Sequence, residues 1–230
     1  MNREADESDN QLRISADTKA TVKIGEFSRG GTCRAKVAAL DHDYEADATL
    51  APIGLLLPQL DEVVIVFVRS PATSDAIMDA IDEYWRENAA RFAGVDTLVL
   101  NLDNGPENHS RRTQFIQRVV DFVDEHQITV RLAYYPPYHS KYNPVEHVWG
   151  ILEKEWNGDL LDTIDAALGH AQSMTWNGNH PVVQFVDTAY ETGKRLCAAA
   201  MRALEKRLKR LPGLGKWFVD IAPLPLGSPG

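Results

Sequence analysis

The chain has 230 residues, enough for one large domain or for one domain with an appendage. Hydrophobic residues make up 44% and charged residues 25%, a composition typical of globular rather than disordered proteins. No apolar run approaches the roughly 20 residues needed to cross a bilayer, so a membrane span is excluded, and no signal peptide is visible.

The net charge of −9 argues against a protein whose whole surface wraps nucleic acid, since such domains are usually basic. The charge is uneven along the chain. Residues 1–110 carry 10 basic and 20 acidic groups, whereas residues 194–216 carry 8 basic groups and 1 acidic group. We therefore expect any polyanion site to lie toward the C-terminus or to be built with metal ions. The distant cysteines, Cys33 and Cys197, favour a reduced cytosolic protein over a disulfide scaffold.

Hydrophobic periodicity predicts strands in the first part of the chain and alternating helices and strands after residue 73. The predicted elements are a strand at Arg13–Asp17, an extended piece at Thr21–Phe27, hairpin strands at Ile53–Leu57 and Glu62–Val68, a helix at Thr73–Ala93, a strand at Thr97–Leu102, a helix at Ser110–Glu125, a strand at Ile128–Tyr134, and helices at Pro144–Trp156, Leu160–Met174 and Val182–Leu211. This order indicates an α/β fold with a mixed sheet and helices on its faces.

Three acidic residues stand at the boundaries of these elements. Asp17 ends the first strand, Asp103 ends the strand at 97–102, and Glu146 lies in the first turn of a helix that Asn143 is expected to cap. Sites in open α/β sheets form at the carboxyl ends of strands, so the three acids could share one crevice. Clustered carboxylates suit Mg²⁺ or Mn²⁺, and two such ions about 3.5–4 Å apart can drive phosphoryl displacement. Taken singly, each acid could equally be a turn former or a helix-dipole partner.

Two longer stretches carry a family resemblance. Residues 98–108 end in Asp103-Asn104-Gly105-Pro106-Glu107-Asn108, and residues 134–146 run from Tyr134-Tyr135-Pro136-Pro137 to Asn143-Pro144-Val145-Glu146. Both resemble the core of the DDE transposases of bacterial insertion sequences, in particular the ISAzo-type or Rhodopirellula-type group, which is distantly similar to mariner-like transposases. Shorter matching pieces lie at residues 14–19, 25–31, 41–44, 156–158 and 174–176, so the resemblance covers about residues 12–222.

The resemblance implies a ribonuclease-H-like fold, two divalent cations (Mg²⁺ or Mn²⁺), and cleavage and joining of DNA strands at transposon ends. It assigns the catalytic and metal-binding roles to Asp17, Asp103 and Glu146. Asp41 and Asp43 are nearby rivals for the first position, but Asp17 is favoured because it ends a strand of the right pattern. The partners implied are transposon-end and target DNA, with a homodimer left open and no membrane or small-molecule cofactor. The expected location is the cytoplasm, near the nucleoid.

Polar and basic residues near the acids are candidates for DNA contact, with a solvated loop or helix face as the alternative in each case. The candidates are His139 and Lys141 in the loop before Glu146, Asn104 after the second acid, Arg111 and Arg112 in the next segment, and Arg202, Lys206 and Arg210 in the basic C-terminal stretch.

The expected domain division is a disordered tail at 1–11, the catalytic core at 12–175, a helical extension at 176–222 and a flexible tail at 223–230. Related transposases carry a helix-turn-helix region before the core, and residues 1–11 cannot form one. The sequence therefore leaves two functions open: a catalytic domain without its recognition region, or a non-catalytic remnant that binds DNA or full-length transposase.

Overall fold

The computed structural model describes residues 2–26, 48–135 and 143–225. Asp41, Asp43, His139 and Lys141 lie outside these ranges, as do Cys33 and residues 226–230. Within the described ranges the elements are α1 (Asn2–Asp6), β1 (Gln11–Thr18), β2 (Val22–Ile24), β3 (Ala48–Leu57), β4 (Glu62–Val68), α2 (Ser74–Glu87), β5 (Thr97–Leu102), α3 (Thr113–His126), β6 (Thr129–Tyr134), α4 (Val145–Trp156), α5 (Ile164–Ser173), β7 (Val182–Val186), α6 (Ala198–Glu205), β8 (Leu208–Arg210) and β9 (Phe218–Ile221).

One mixed sheet holds the described strands in the order β7-β4-β3-β1-β5-β6-β9-β8, with β2 paired to β3. Strand β3 runs antiparallel to β1 and β4, whereas β1, β5 and β6 run parallel to one another. The predicted mixed α/β sheet is confirmed, with β4-β3-β1-β5-β6 as its central strand order. Ser15 pairs with Asn101, so the carboxyl ends of β1 and β5 meet at one edge of the sheet.

The two faces of the sheet carry different layers, because side chains alternate along each strand. The even-numbered residues of β1 and β5 pack with α2, α3 and α6 in the larger core. On the other face, α4 and α5 cover β3 and β4, and α1 covers part of β5 and β6. Strand β1 lies between these two covered areas, and its odd-numbered residues Arg13, Ser15 and Asp17 are buried there. A buried polar strip therefore runs along β1 to Asp17.

The N-terminal residues are not the disordered tail that their polar composition predicted, since α1 packs on the sheet. Ala5 is fully buried, and Asp6 accepts two hydrogen bonds of 2.7 Å from the guanidinium of Arg13. The side-chain amide of Gln59, in the turn after β3, donates to the carbonyls of Ala5 and Gln11 at 2.9 Å. These partners lie in distant segments, which is why the local composition did not reveal them.

The helix predicted over Val182–Leu211 is wrong. Strand β7 occupies its first part and pairs in parallel with β4, and only Ala198–Glu205 is helical. The β7 segment is rich in β-branched residues, which favour strands, and Gly193 adopts a φ of +76°, which interrupts a helix. Strand β9 pairs with β6, so residues 176–222 extend both sides of the sheet rather than forming a helical extension.

Two further helical predictions are confirmed with shorter bounds. The pattern over Thr73–Ala93 forms a helix only at Ser74–Glu87, and that over Leu160–Met174 only at Ile164–Ser173. Thr73 and Thr163 cap these helices, since each hydroxyl accepts a hydrogen bond from the backbone N–H three residues on. No helix among the described residues is long and apolar enough to cross a membrane.

Candidate active site

The three acids predicted from the sequence come from three separate elements. Asp17 is the penultimate residue of β1 and is only 7% exposed. Asp103 comes directly after β5, at the same edge of the sheet, and Glu146 lies in the first turn of α4. The parallel pairing of β1 with β5 and the packing of α4 on the sheet bring their carboxylates close enough for their charges to act on one another. Their oxygens do not all lie within 4.8 Å of one another, a spacing that only Asp82, Glu125 and His126 meet among the described residues.

Asp17 is held by a tryptophan on the helix that carries Glu146. The Trp149 indole Nε1 donates a 2.7 Å hydrogen bond to Oδ2 of Asp17. Gly54 of β3, which pairs with Asp17, makes room for this ring: a Cβ there would lie 2.6 Å from Cη2 of Trp149. Strand β3 thus needs glycine at this position for the tryptophan to reach the carboxylate.

Asp103 is held by the tight turn that follows it. Its Oδ1 accepts hydrogen bonds from the backbone N–H of Gly105 (3.0 Å) and from the amide Nδ2 of Asn108 (2.9 Å). Asn104 adopts a left-handed conformation with a φ of +65°, which asparagine tolerates better than most residues. Among the described residues, Oδ2 of Asp103 has no hydrogen-bond partner.

The start of α4 is docked onto β1 by a buried serine. The Ser15 hydroxyl donates to the side-chain oxygen of Asn143 and accepts from the backbone N–H of Val145 at 3.4 Å. The carbonyl of Asn143 accepts the N–H of Glu146 at 3.0 Å. Asn143 was expected to cap the helix through its side chain, but that side chain bonds to Ser15 instead, and Pro144 is the residue at the N-cap. The contact sets the position of Glu146 relative to the strand that carries Asp17.

The three acids form one electrostatic unit. Burial, together with the charges of Asp103 and Glu146, raises the pKa of Asp17 to about 7, although the hydrogen bond from Trp149 lowers it. Burial and the charge of Asp103 likewise raise the pKa of Glu146, against a lowering effect of Lys19 and His147. Lys19 also makes a 2.6 Å ion pair with Glu153 on α4.

The chemistry of these three carboxylates suits divalent cations. Negative charges on three neighbouring carboxylates repel one another, and a cation placed between them would offset that repulsion. Carboxylate oxygens are hard ligands, which suit Mg²⁺ or Mn²⁺. A second acidic group lies on α2 and α3, where ligand atoms of Asp82, Glu125 and His126 are within 4.8 Å of one another. There, Nη2 of Arg86 already lies 2.9 Å from Asp82 and 2.6 Å from Glu125, so the protein supplies the compensating cation itself.

The comparisons with known proteins assign the family. The sequence matches the family model described as "Rhodopirellula transposase DDE domain" over residues 1–223. The chain belongs to this family. No protein with a curated description matches this transposase domain.

Two solved structures are similar to the transposase domain. The "Mos1 transposase paired-end complex with left transposon end" has 9% identity over 72% of this chain and 48% of that chain, with a TM-score of 0.49. The "Mos1 mariner paired end complex with Mn" has 8% identity over 67% and 45%, with a TM-score of 0.44. The chain thus spans just under half the length of either.

The predicted DNA contacts of the transposase domain fall into different environments. Arg111, Arg202 and Lys206 are exposed. Arg112 makes three hydrogen bonds of 2.9–3.2 Å to the carboxylate of Glu107, which also accepts from the N-terminal residue of α2. Arg210 is partly buried and donates to backbone carbonyls. Glu107 thus ties the loop after Asp103 to α2 and neutralises Arg112, whereas Arg111, Arg202 and Lys206 remain exposed to a ligand.

Sequence reasoning missed the residues that hold the acids in place, namely Ser15, Gly54, Asn108 and Trp149. Ser15 lies two residues before Asp17 and therefore on the same face of β1, which was a usable signal. Gly54 interrupts an apolar strand, and such glycines often mark a close approach. Trp149 fits the buried stripe of its helix, so the pattern alone cannot show that its N–H faces a carboxylate.

Proposed function

We propose that this transposase domain catalyses metal-dependent phosphodiester cleavage and strand transfer on DNA at transposon ends. The observation that supports this most strongly is the convergence of Asp17, Asp103 and Glu146 from two strand ends and a helix start. Each acid is linked to the others electrostatically. This arrangement lowers the stability of the metal-free fold, because it places the buried carboxylate of Asp17 beside two other carboxylates.

The three carboxylates would hold two Mg²⁺ or Mn²⁺ ions. When bound, two such ions activate an attacking oxygen and neutralise the charge on the leaving oxygen of an in-line displacement. The same acids would serve both steps of the reaction: attack by water, and attack by the freed 3′-hydroxyl on target DNA.

The other residues keep the carboxylates in place. Trp149 fixes Oδ2 of Asp17, and Gly105 with Asn108 fixes Oδ1 of Asp103, so that Oδ2 of Asp103, which none of the described residues bonds, is the oxygen we assign to a ligand. Preorganised ligands of this kind lose little conformational entropy when the site fills.

The proposed substrate is double-stranded DNA, bound near the acids by cations and polar groups. Asn104 lies in the turn beside Asp103, and Arg202 and Lys206 offer exposed charges at α6. His139 and Lys141 remain proposals on sequence grounds, as do a homodimer and action on nucleoid DNA in the cytoplasm.

Nicking of supercoiled plasmid DNA tests the proposal. We expect the purified chain to convert supercoiled to open-circular plasmid in Mg²⁺ or Mn²⁺ but not in EDTA, and Asp103→Asn to abolish this while the protein stays folded. Asp159→Asn is the matched control, because it removes one charge at an exposed carboxylate outside the site. Nicking by Asp103→Asn would overturn the site assignment. A folded wild-type chain that binds DNA without nicking it would favour the non-catalytic alternative.

A further inference from the structure

A surface groove of about 540 Å³ brings together basic residues from two distant parts of the chain. Arg111 comes from the segment after the second acid, whereas Arg210 and Lys216 come from β8 and the turn before β9. Its walls also include Glu205, Leu211, Pro212, Gly213 and Gly215. The prediction of one long helix over 182–211 could not bring these residues together, because it lacked the return of the chain through β8 and β9.

Arg210 is a fixed part of the groove. Its Nη1 and Nη2 donate 3.0 Å hydrogen bonds to the carbonyls of Gly215 and Ser110, and its Nε lies 2.5 Å from Oε1 of Glu205. The hydrogen bond from Arg210, and then the nearby charge of Arg111, lower the pKa of Glu205, so the groove contains one carboxylate and three cations. Its walls therefore carry a net positive charge in a domain whose total charge is −9.

Two cations of the groove are available to a ligand. Arg111 and Lys216 are exposed, and neither side chain has a hydrogen-bond or ion-pair partner within residues 2–26, 48–135 and 143–225. Arg112, beside Arg111 in sequence, instead pairs with Glu107. The fold thus pairs the neighbouring Arg112 with a carboxylate and leaves Arg111 and Lys216 without an ion pair among the described residues.

The groove adjoins the acidic centre through the loop that follows Asp103. Asn108 donates to Asp103, and its carbonyl accepts the hydroxyl of Tyr134 at 2.9 Å. The charges of both Arg210 and Asp103 act on that hydroxyl, so the tyrosine lies near both the groove and the second acid. Ser110, two residues after Asn108, contacts Arg210 directly.

We propose that this groove binds the phosphate backbone of duplex DNA beside the phosphodiester that the acids cleave, with Arg111 and Lys216 each contacting a phosphate. The inference rests on the proposed function, which requires a duplex to run past Asp103. Arg111 and Lys216, beside the paired Arg210, offer positive charge to phosphates, and such contacts position DNA without recognising its base sequence. The acidic centre itself would repel that backbone, so affinity must come from neighbouring surfaces of this kind.

The test is the salt dependence of binding to a fluorescent DNA duplex, measured by anisotropy in EDTA so that cleavage cannot proceed. Each phosphate contact contributes about 0.9 to the slope of log affinity against log salt, so Arg111→Ala with Lys216→Ala should lower the slope by about 1.8. Arg69→Ala with Arg91→Ala removes the same charge from side chains 47% and 44% exposed, next to β4 at the other side of the sheet. That control pair should leave the slope unchanged.

Two results separate the groove from the catalytic proposal. The groove variant should need more DNA for half-maximal nicking in Mg²⁺ than the control pair does, and Asp103→Asn should keep salt-dependent binding of duplex while failing to nick. Equal slopes for the groove and control variants would overturn the groove assignment even if nicking persists. A wild-type chain without salt-dependent binding would overturn it as well.

Discussion

The indole nitrogen of Trp149 donates a 2.7 Å hydrogen bond to Oδ2 of Asp17, joining the helix that carries Glu146 to the strand that carries Asp17. The bond is buried, and the two residues are 132 positions apart in sequence. Because Trp149 lies one turn after Glu146 on α4, the bond sets how that helix face meets β1. The geometry of the acidic centre therefore depends on one neutral donor.

Trp149→Phe removes that donor and keeps most of the ring. The hydrogen bond lowers the pKa of Asp17 against the larger raising effect of burial, so without it Asp17 ionises less readily and binds cations more weakly. We expect the Mg²⁺ concentration for half-maximal nicking to rise roughly 10- to 100-fold, as for other residues that orient metal ligands. Trp85→Phe, in the core on the opposite face of the sheet, is the control and should leave it unchanged. An unaltered Mg²⁺ requirement in Trp149→Phe would contradict the role given to the bond.

The pH dependence of stability follows from Asp17. Its pKa is about 7 in the folded chain and about 3.8 when exposed, so the unfolded chain loses this proton at lower pH. In EDTA, this group therefore lowers the free energy of unfolding as pH rises from about 4 to 7, by up to about 4 kcal/mol at 1.36 kcal/mol per pKa unit. We expect Asp17→Asn to stabilise the metal-free chain at pH 8, as measured by urea unfolding.

Metal ions should reverse that difference. Mg²⁺ binds the folded site, so it should raise the Tm of the wild-type chain at pH 8 and leave that of Asp17→Asn nearly constant. An equal Tm increase in both proteins would show that Mg²⁺ acts elsewhere on the surface.

Ser15→Ala tests the docking of α4. The change leaves the buried oxygen of Asn143 without its donor, which costs about 1–3 kcal/mol of unfolding free energy, and frees Glu146 to move away from Asp17. We expect a higher Mg²⁺ requirement for nicking as well as lower stability. Ser15→Thr, which keeps the hydroxyl, should restore the Mg²⁺ requirement even if its extra methyl group costs stability. Ser173→Ala removes an exposed serine hydroxyl and should do neither. If Ser15→Ala needs no more Mg²⁺ for nicking than the wild-type chain, Ser15 contributes to stability only and does not position Glu146.

Two acids on α1 offer a matched pair for the role of the N-terminal helix. Asp6 pairs with Arg13, whose side chain is only 8% exposed, whereas Glu7 pairs with the 89% exposed Arg3. Asp6→Ala leaves a buried guanidinium without its carboxylate and should lower the free energy of unfolding by roughly 1–3 kcal/mol, below the 3–5 kcal/mol of fully buried pairs. Glu7→Ala should change it by about 0.5 kcal/mol or less. Urea unfolding that gives equal losses for the two would show that α1 does not pack as described.

The boundary positions of the acids could be predicted from the sequence because their signals are local, whereas their catalytic role follows from the family resemblance and stays a proposal. Asp103 follows a run typical of a buried strand, and Glu146 follows an Asn-Pro pair that starts a helix. The roles of Ser15 and Trp149 could not be predicted, since they depend on contacts across more than 100 positions. The indole of Trp149 and the hydroxyl of Ser15 make these hydrogen bonds only when α4 packs on β1.

The errors in the fold have the same origin. Periodicity over 182–211 is compatible with a helix, but β7 forms because the side of β4 not paired to β3 accepts it. The polar composition of residues 1–11 is typical of a tail, yet Arg13 and Gln59 supply the partners that hold α1. In both cases long-range pairing outweighs local preference.

The most direct test of the central claim is the anomalous scattering of Mn²⁺ in crystals of the wild-type chain soaked in that ion. We expect Mn²⁺ peaks bounded by the carboxylates of Asp17, Asp103 and Glu146, and none there in crystals of Asp103→Asn. Crystals that show no Mn²⁺ between these carboxylates, or show it only beside Asp82 and Glu125, would contradict the assignment of the catalytic centre.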